Sequence, residues 1–169
     1  MYPVHVKALR VGPAAAAWLF GLAALSGALP AAAGDVIAFV ALPSPSANWD
    51  RGYGAALTSK WFNVVSFEGE AARIPGKSSD EGMTSFTASA LLSPPVGVLT
   101  PYGGVGYGLF RQNVGSDSDI GRLRAWIVGA KLKLGGVIVV KGEYRRLDLS
   151  GTPLRAMTSR VSAGVGIAF

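Results

Sequence analysis

Cysteine is absent from these 169 residues, and histidine occurs once, as His5. Without cysteine there is no disulfide and no thiolate nucleophile or ligand, although the compartment stays open. With its one imidazole at position 5, the chain beyond the N-terminal segment can form no Ser–His pair and no imidazole or thiolate metal site. Charge is sparse too, at 15 % of residues. Past the N-terminus, no apolar run reaches the length of about 20 residues that a spanning helix needs. The net charge of +6 raises the question of nucleic acid. No basic cluster is interleaved with aromatic residues, so no nucleic-acid partner is expected.

What is plentiful is small or apolar: half the residues are hydrophobic, and 23 are glycine. The first stretch, MYPVHVKALR, carries Lys7 and Arg10 and no acid. The apolar VGPAAAAWLFGLAALSGALP follows, then AAAGD with small residues at Ala31 and Ala33. This layout predicts a secretory signal peptide over 1–33, cleaved after Ala33, and one domain over 34–169. An uncleaved membrane anchor is the alternative.

After Gly34 the sequence reads with period two, and glycine recurs too often for stable helices. Eight strands are expected, at about 35–42, 51–59, 62–73, 83–93, 100–112, 121–134, 136–149 and 158–169. The first, DVIAFVAL, does not alternate cleanly. In the third, Val65, Phe67, Gly69 and Ala71 alternate with Ser66, Glu68 and Glu70. In the fourth, Phe86, Ala88, Ala90 and Leu92 alternate with Ser85, Thr87 and Ser89. In the sixth, Trp126, Val128, Ala130, Leu132 and Leu134 alternate with Gly129, Lys131 and Lys133. In the seventh, Ile138, Val140, Gly142 and Tyr144 alternate with Lys141, Glu143 and Arg145. One face is apolar; the other carries small, hydroxyl and charged residues.

A soluble barrel or sandwich would turn the apolar face inward, and a membrane barrel would turn it to lipid. Several segments reach the length of about 9–11 residues that a spanning strand needs. Short connections alternate with longer or more polar ones, among them NVGSDSDIG. In an up-and-down meander that puts the tight turns at one end and the loops at the other. The loops around Ser79, Asp117 and Pro153 are therefore expected outside. The LGG between strands six and seven predicts a three-residue turn over Leu134–Gly136, with Lys133 opposite Val137 and Gly129 opposite Lys141. The expected fold class is all-β, an up-and-down antiparallel transmembrane barrel of about eight strands.

TPYGGVGYGLFRQN, then LRAWIVGAKLKLGGVIVVKGEYRRLDLSG, then the closing RVSAGVGIAF resemble the small outer-membrane β-barrel proteins, the opacity-protein and OmpX-like group. The marks are Pro101-Tyr102-Gly103 opening one strand, Glu143-Tyr144-Arg145 near the end, and the terminal Phe169. The resemblance implies residence in the outer membrane of a Gram-negative cell, with lipid as one partner. It also implies that Val161, Ala163, Val165, Ile167 and Phe169 are read by the barrel-assembly machinery. On an ordinary reading the same strand simply closes the barrel and removes its edge.

The charged inner face is the most specific constellation. Glu68 and Glu70 on strand three and Lys141, Glu143 and Arg145 on strand seven are expected to meet across the lumen, with Lys131 nearby. Strands three and seven oppose each other in an eight-stranded barrel, whose interior is just wide enough for side chains to fill. Buried charges there must be paired. GSDSDIG lacks the length and closing Glu of a calcium loop and reads as a solvated external loop. The glycines of PYGGVGYG precede no helix, so they make no phosphate loop. They are expected to leave lumen space for large neighbours. No cofactor, metal or catalytic residue is expected. The functional expectation is a monomeric, non-enzymatic envelope barrel with a structural or surface-interaction role. A small porin-like channel and a secreted soluble lipid-binding barrel are the alternatives.

Overall fold

The computed structural model describes residues 34–169 apart from 62–63, 79–80, 95, 152–153 and 155. The expected leader, 1–33, and the loop positions Ser79 and Pro153 lie outside the described residues. Eight strands follow in chain order: β1 Gly34–Ser44, β2 Gly52–Lys60, β3 Val65–Pro75, β4 Gly82–Leu92, β5 Leu99–Val114, β6 Asp117–Leu134, β7 Ile138–Ser150 and β8 Ser159–Ala168. Each pairs antiparallel with the next, and β8 pairs with β1, closing the barrel. Closure leaves no unpaired edge, the condition for irregularity-free passage through lipid.

Side chains alternate across the wall as the period-two reading requires. Phe67, Phe86, Trp126, Val140 and Tyr144 are exposed on the outside, while Glu68, Thr87, Lys141 and Glu143 are buried within. Strand β1 alternates as well, although its sequence hides it. Val36, Val40 and Leu42 face out, and Ile37, Phe39 and Ala41 face in, so both faces are apolar.

The inner face is accordingly less polar than expected. At the end where β1 finishes, Trp49 of the β1–β2 connection and Met157 of the β7–β8 connection pack in one apolar cluster with Ile74, Met83, Phe110, Leu123 and Leu147. The Trp49 indole N–H donates to the Ala156 carbonyl at 3.3 Å, tying the two connections together. We call this the loop end; the connections β2–β3, β4–β5 and β6–β7 lie at the opposite, turn end.

Three expectations need correction. First, 113–121 is not a loop: β5 and β6 run on as a paired ribbon to Val114 and Asp117. Gly115, at φ 60°, takes the first central position of a two-residue turn. The ribbon is hydrophilic because it clears the apolar wall, where both its faces can be wet. Second, the β6–β7 turn spans Gly135, Gly136 and Val137. It has three residues, but the register moves by two, so Leu134 faces Ile138 and Lys131 faces Lys141. Both registers preserve inside and outside, and the pattern alone could not choose; Gly135 and Gly136 at φ 57° and 80° locate the turn. Third, the space at Gly104, Gly106 and Gly108 goes only in part to side chains: a Cβ at Gly106 would meet the Ser89 and Thr87 side chains and one at Gly104 would lie 2.9 Å from Leu91 Cδ2, but the tightest contacts at Gly104 and Gly108 are with backbone. A Cβ at Gly108 would lie 1.9 Å from the Phe86 carbonyl oxygen, and one at Gly104 would lie 2.1 Å from that of Ala90. These glycines let the β5 backbone close tightly on β4, as a narrow barrel's curvature demands.

Candidate functional site

The lumen below the apolar cluster holds charge. Even-numbered positions of β3 and odd-numbered positions of β6 and β7 point inward, which brings Glu68, Glu70, Lys131, Lys141, Glu143 and Arg145 into one space. Arg145 is the hub. Its Nη2 lies 2.6 Å from Glu68 Oε1 and 2.9 Å from Glu70 Oε2, and its Nε lies 2.5 Å from Glu143 Oε1. Lys141 Nζ lies 2.9 Å from both Glu68 and Glu143. The Lys131–Lys141 juxtaposition is relieved because Lys131 turns to Asp35 at 2.9 Å and stands 3.9 Å from Glu68.

Four participants escaped the sequence reading. Asp35 of β1 holds Lys131, and Arg160 of β8 pairs with Glu70. Tyr102 of β5 donates its hydroxyl to Glu143 Oε2 at 2.9 Å, and its ring lies 5.6 Å from Lys131 Nζ and 5.7 Å from Lys141 Nζ. Thr58 of β2 donates to Glu68 Oε2 at 3.2 Å and accepts from Lys131 at 2.8 Å. Gly129, facing Tyr102 across β5 and β6, leaves the ring its place: a Cβ there would lie 2.5 Å from the hydroxyl. Arg160 carries the same parity as the inward Ser162, so extending the alternation through β8 would have found it; Asp35 was hidden because both faces of β1 are apolar. Nothing in the sequence signals that Tyr102 lies between two ammonium groups.

Among the described residues the network comprises four carboxylates and four cations: Asp35, Glu68, Glu70 and Glu143 against Lys131, Lys141, Arg145 and Arg160. Its charge therefore cancels, which is what the interior of a narrow barrel demands, since an unpaired buried charge costs several kcal/mol, about 3–5 when one partner is removed. Arg145 is 1 % exposed, and Lys141 and Glu68 are each 2 % exposed, so these charges are withdrawn from solvent. Three carboxylates, Glu68, Glu70 and Glu143, approach within 4.8 Å of one another. Lys141, Arg145 and Arg160 lie within ion-pair distance of these carboxylates.

The residues of the closing strand form a different surface. Val161, Val165, Ile167 and Phe169 are exposed on the outer wall, with Ala163 between them on the same face. The backbone of Phe169 exchanges hydrogen bonds with Gly34 at 2.9 and 3.0 Å, sealing β8 to β1 at the turn end.

Known proteins share this architecture at low identity. Neisserial surface protein A is 17 % identical with a TM-score of 0.62, over 81 % of this chain and 95 % of that one. Ail, the attachment invasion locus protein of Yersinia pestis, is 15 % identical with a TM-score of 0.54, over 82 % and 99 %. The outer membrane enzyme PagL is 16 % identical with a TM-score of 0.50, over 80 % and 98 %. No curated protein matches by sequence. The family model described as "Outer membrane protein beta-barrel domain" matches residues 12–169. With an outward apolar wall, an inward charge network, a closed eight-strand meander and that match, the chain belongs to the outer membrane protein β-barrel domain family, a family of the cell outer membrane.

Proposed function

We propose that this protein is a non-enzymatic, monomeric, non-conducting barrel of the cell envelope, with a structural role and a loop end that meets surface partners. The observation that carries the reading is the filled lumen. The ion-pair network occupies the middle, and the apolar cluster of Trp49, Phe110 and Met157 stops the loop end. Ions crossing would have to displace buried, mutually neutralised charges and then pass an apolar constriction.

Fold does not decide chemistry on such barrels, since PagL is an enzyme on the same architecture. The non-enzymatic reading rests instead on composition: no cysteine, and no histidine beyond His5. The names of Neisserial surface protein A and of Ail, the attachment invasion locus protein, suggest surface encounter as a role for barrels of this size. The secreted lipid-binding alternative is disfavoured by the outward apolar wall. Val161, Ala163, Val165, Ile167 and Phe169 are proposed as the strand that the assembly machinery reads. Phe169 is 65 % exposed and available to such a partner.

Reconstitution into planar bilayers tests the central reading. No unitary current is expected from the unmodified barrel. Regular conductance steps would overturn it in favour of the porin-like channel.

A further inference from the structure

The outer wall is electrically lopsided. Across the outward-facing strand positions there are five arginines, Arg73, Arg111, Arg122, Arg124 and Arg146, one acid, Asp148, and neither lysine nor glutamate. All five arginines are exposed, and all lie toward the loop end of their strands. The turn end of the same wall is apolar: Leu92, Leu134, Ile138 and Ile167 are exposed there. A solubilising surface would scatter charge of both signs, and a purely lipid-facing wall would carry none.

The arginines follow the border of the apolar band. Arg73 faces Tyr53, Arg124 stands between Tyr107 and the one outward acid, Asp148, and Arg146 faces Trp126 in the cross-strand register. Tyrosine and tryptophan mark the interface between hydrocarbon and headgroups. The guanidinium groups therefore stand at headgroup level, where their stems can lie along apolar surface while their heads stay polar. Arg73, Thr84 and Arg111 form one row across β3, β4 and β5. With strands about 4.8 Å apart, two arginines flanking a threonine stand roughly 10 Å from each other, a spacing that long side chains can close on one phosphate. The same row lines a cleft of about 470 Å³ under the β5–β6 ribbon, with Asn113 and Ser118 as further donors. Glu81 and Asp117 also line it, in the connection and ribbon beyond the row. Among the described residues none of the five arginines has an ion pair; Arg111 Nε donates to Ser118 Oγ at 3.2 Å.

We propose that this rim binds the phosphate groups of membrane lipids in the leaflet at the loop end, with Arg73 and Arg111 as the central pair and Arg122, Arg124 and Arg146 continuing the site around the barrel. A lipid headgroup is the occupant because the arginines are continuous with the apolar wall, so that acyl chains and phosphate engage together.

The test uses the purified full chain in dodecylmaltoside, titrated with dioleoyl phosphatidic acid and read by native mass spectrometry. Phosphatidic acid should be retained more tightly than dioleoyl phosphatidylcholine. The double variant Arg73→Gln/Arg111→Gln should weaken retention about 30-fold, at a tenfold change per 1.4 kcal/mol and the usual worth of two cations near an anionic surface. Arg51→Gln/Lys77→Gln, which removes two cations from the loops, should change little. Heat-modifiable mobility on a gel reports folding, and Arg122→Gln/Arg124→Gln on β6 serves if the first pair does not fold. Unchanged retention in the folded Arg→Gln variants, equal retention of phosphatidylcholine, or full displacement by inorganic phosphate would each overturn the proposal.

Discussion

Glu68 of β3 and Arg145 of β7 are separated by 77 positions in the chain and by 2.6 Å in the lumen. The contact spans the barrel's diameter, since the two strands are four apart in a closed ring of eight. Arg145 also serves Glu70 and Glu143, and Lys141 bridges Glu68 to Glu143. The network is thus a brace between opposite walls, and its removal should be felt as lost stability before any change in function.

Lys141→Met should lower the unfolding midpoint in detergent, because it leaves one carboxylate in excess among buried charges; breaking a buried pair costs about 3–5 kcal/mol. Adding Glu68→Gln restores charge balance and should recover part of the loss, as members of one network couple. Arg145→Met, which strips a cation from three carboxylates, should be worse than Lys141→Met. Strict additivity of the Lys141 and Glu68 changes in urea titrations would refute the brace.

Gly142 sits outward on β7 with nothing within 4 Å of a Cβ built there. Its neighbours across the sheet are Ala130 and Ala163. Gly142→Leu should fold normally. Gly142→Arg should cost about 2–4 kcal/mol, the price of a cation near the bilayer midplane. Refolding yields into lipid vesicles compare the two, and equal tolerance would argue against a lipid-facing wall.

Gly108 and Gly69 make a matched pair for the backbone argument. A Cβ at Gly108 meets the Phe86 carbonyl at 1.9 Å, whereas one at Gly69 meets nothing within 4 Å. Gly108→Ala should loosen the β4–β5 pairing and cost about 1–3 kcal/mol, the usual range for overpacking. Gly69→Ala should be neutral or slightly stabilising. Urea midpoints in detergent decide it, and a neutral Gly108→Ala would mean that β5 need not approach β4 so closely.

Orientation follows if the loop end faces outside. A cysteine at Ser116, the exposed tip of the β5–β6 ribbon, should react with a membrane-impermeant maleimide on intact cells. A cysteine at Val137, in the β6–β7 turn, should react only after lysis. The chain has no native cysteine to confuse the readout. Labelling at Val137 alone would reverse the orientation.

Much of this was legible in the sequence because a strand's period of two needs no knowledge of its neighbours. Val65 to Glu70 and Ile138 to Arg145 declare their faces by alternation, and so strand number and sidedness follow. Strand β1 resisted because Ile37 and Phe39 join the lumen's apolar part, which makes both faces apolar. The β5–β6 ribbon resisted because alternation fades once a hairpin leaves the wall. The arginine rim was legible residue by residue, but its confinement to one end required strand heights.

The sequence by itself determined the number of strands, the two faces of those that alternate, and that acids and bases sharing a buried face must pair, because burial of one face imposes alternation locally. The tertiary structure alone decided who pairs with whom. Alternation sets the side of the wall a residue occupies, not its height along the barrel. Height depends on the stagger accumulated around all eight pairings and on closure of β8 against β1. A shift of two residues, as between the expected and observed β6–β7 turn, keeps every face unchanged and still moves Lys131 from one set of neighbours to another. Closure fixed that stagger, and with it the place of Arg145 among Glu68, Glu70 and Glu143.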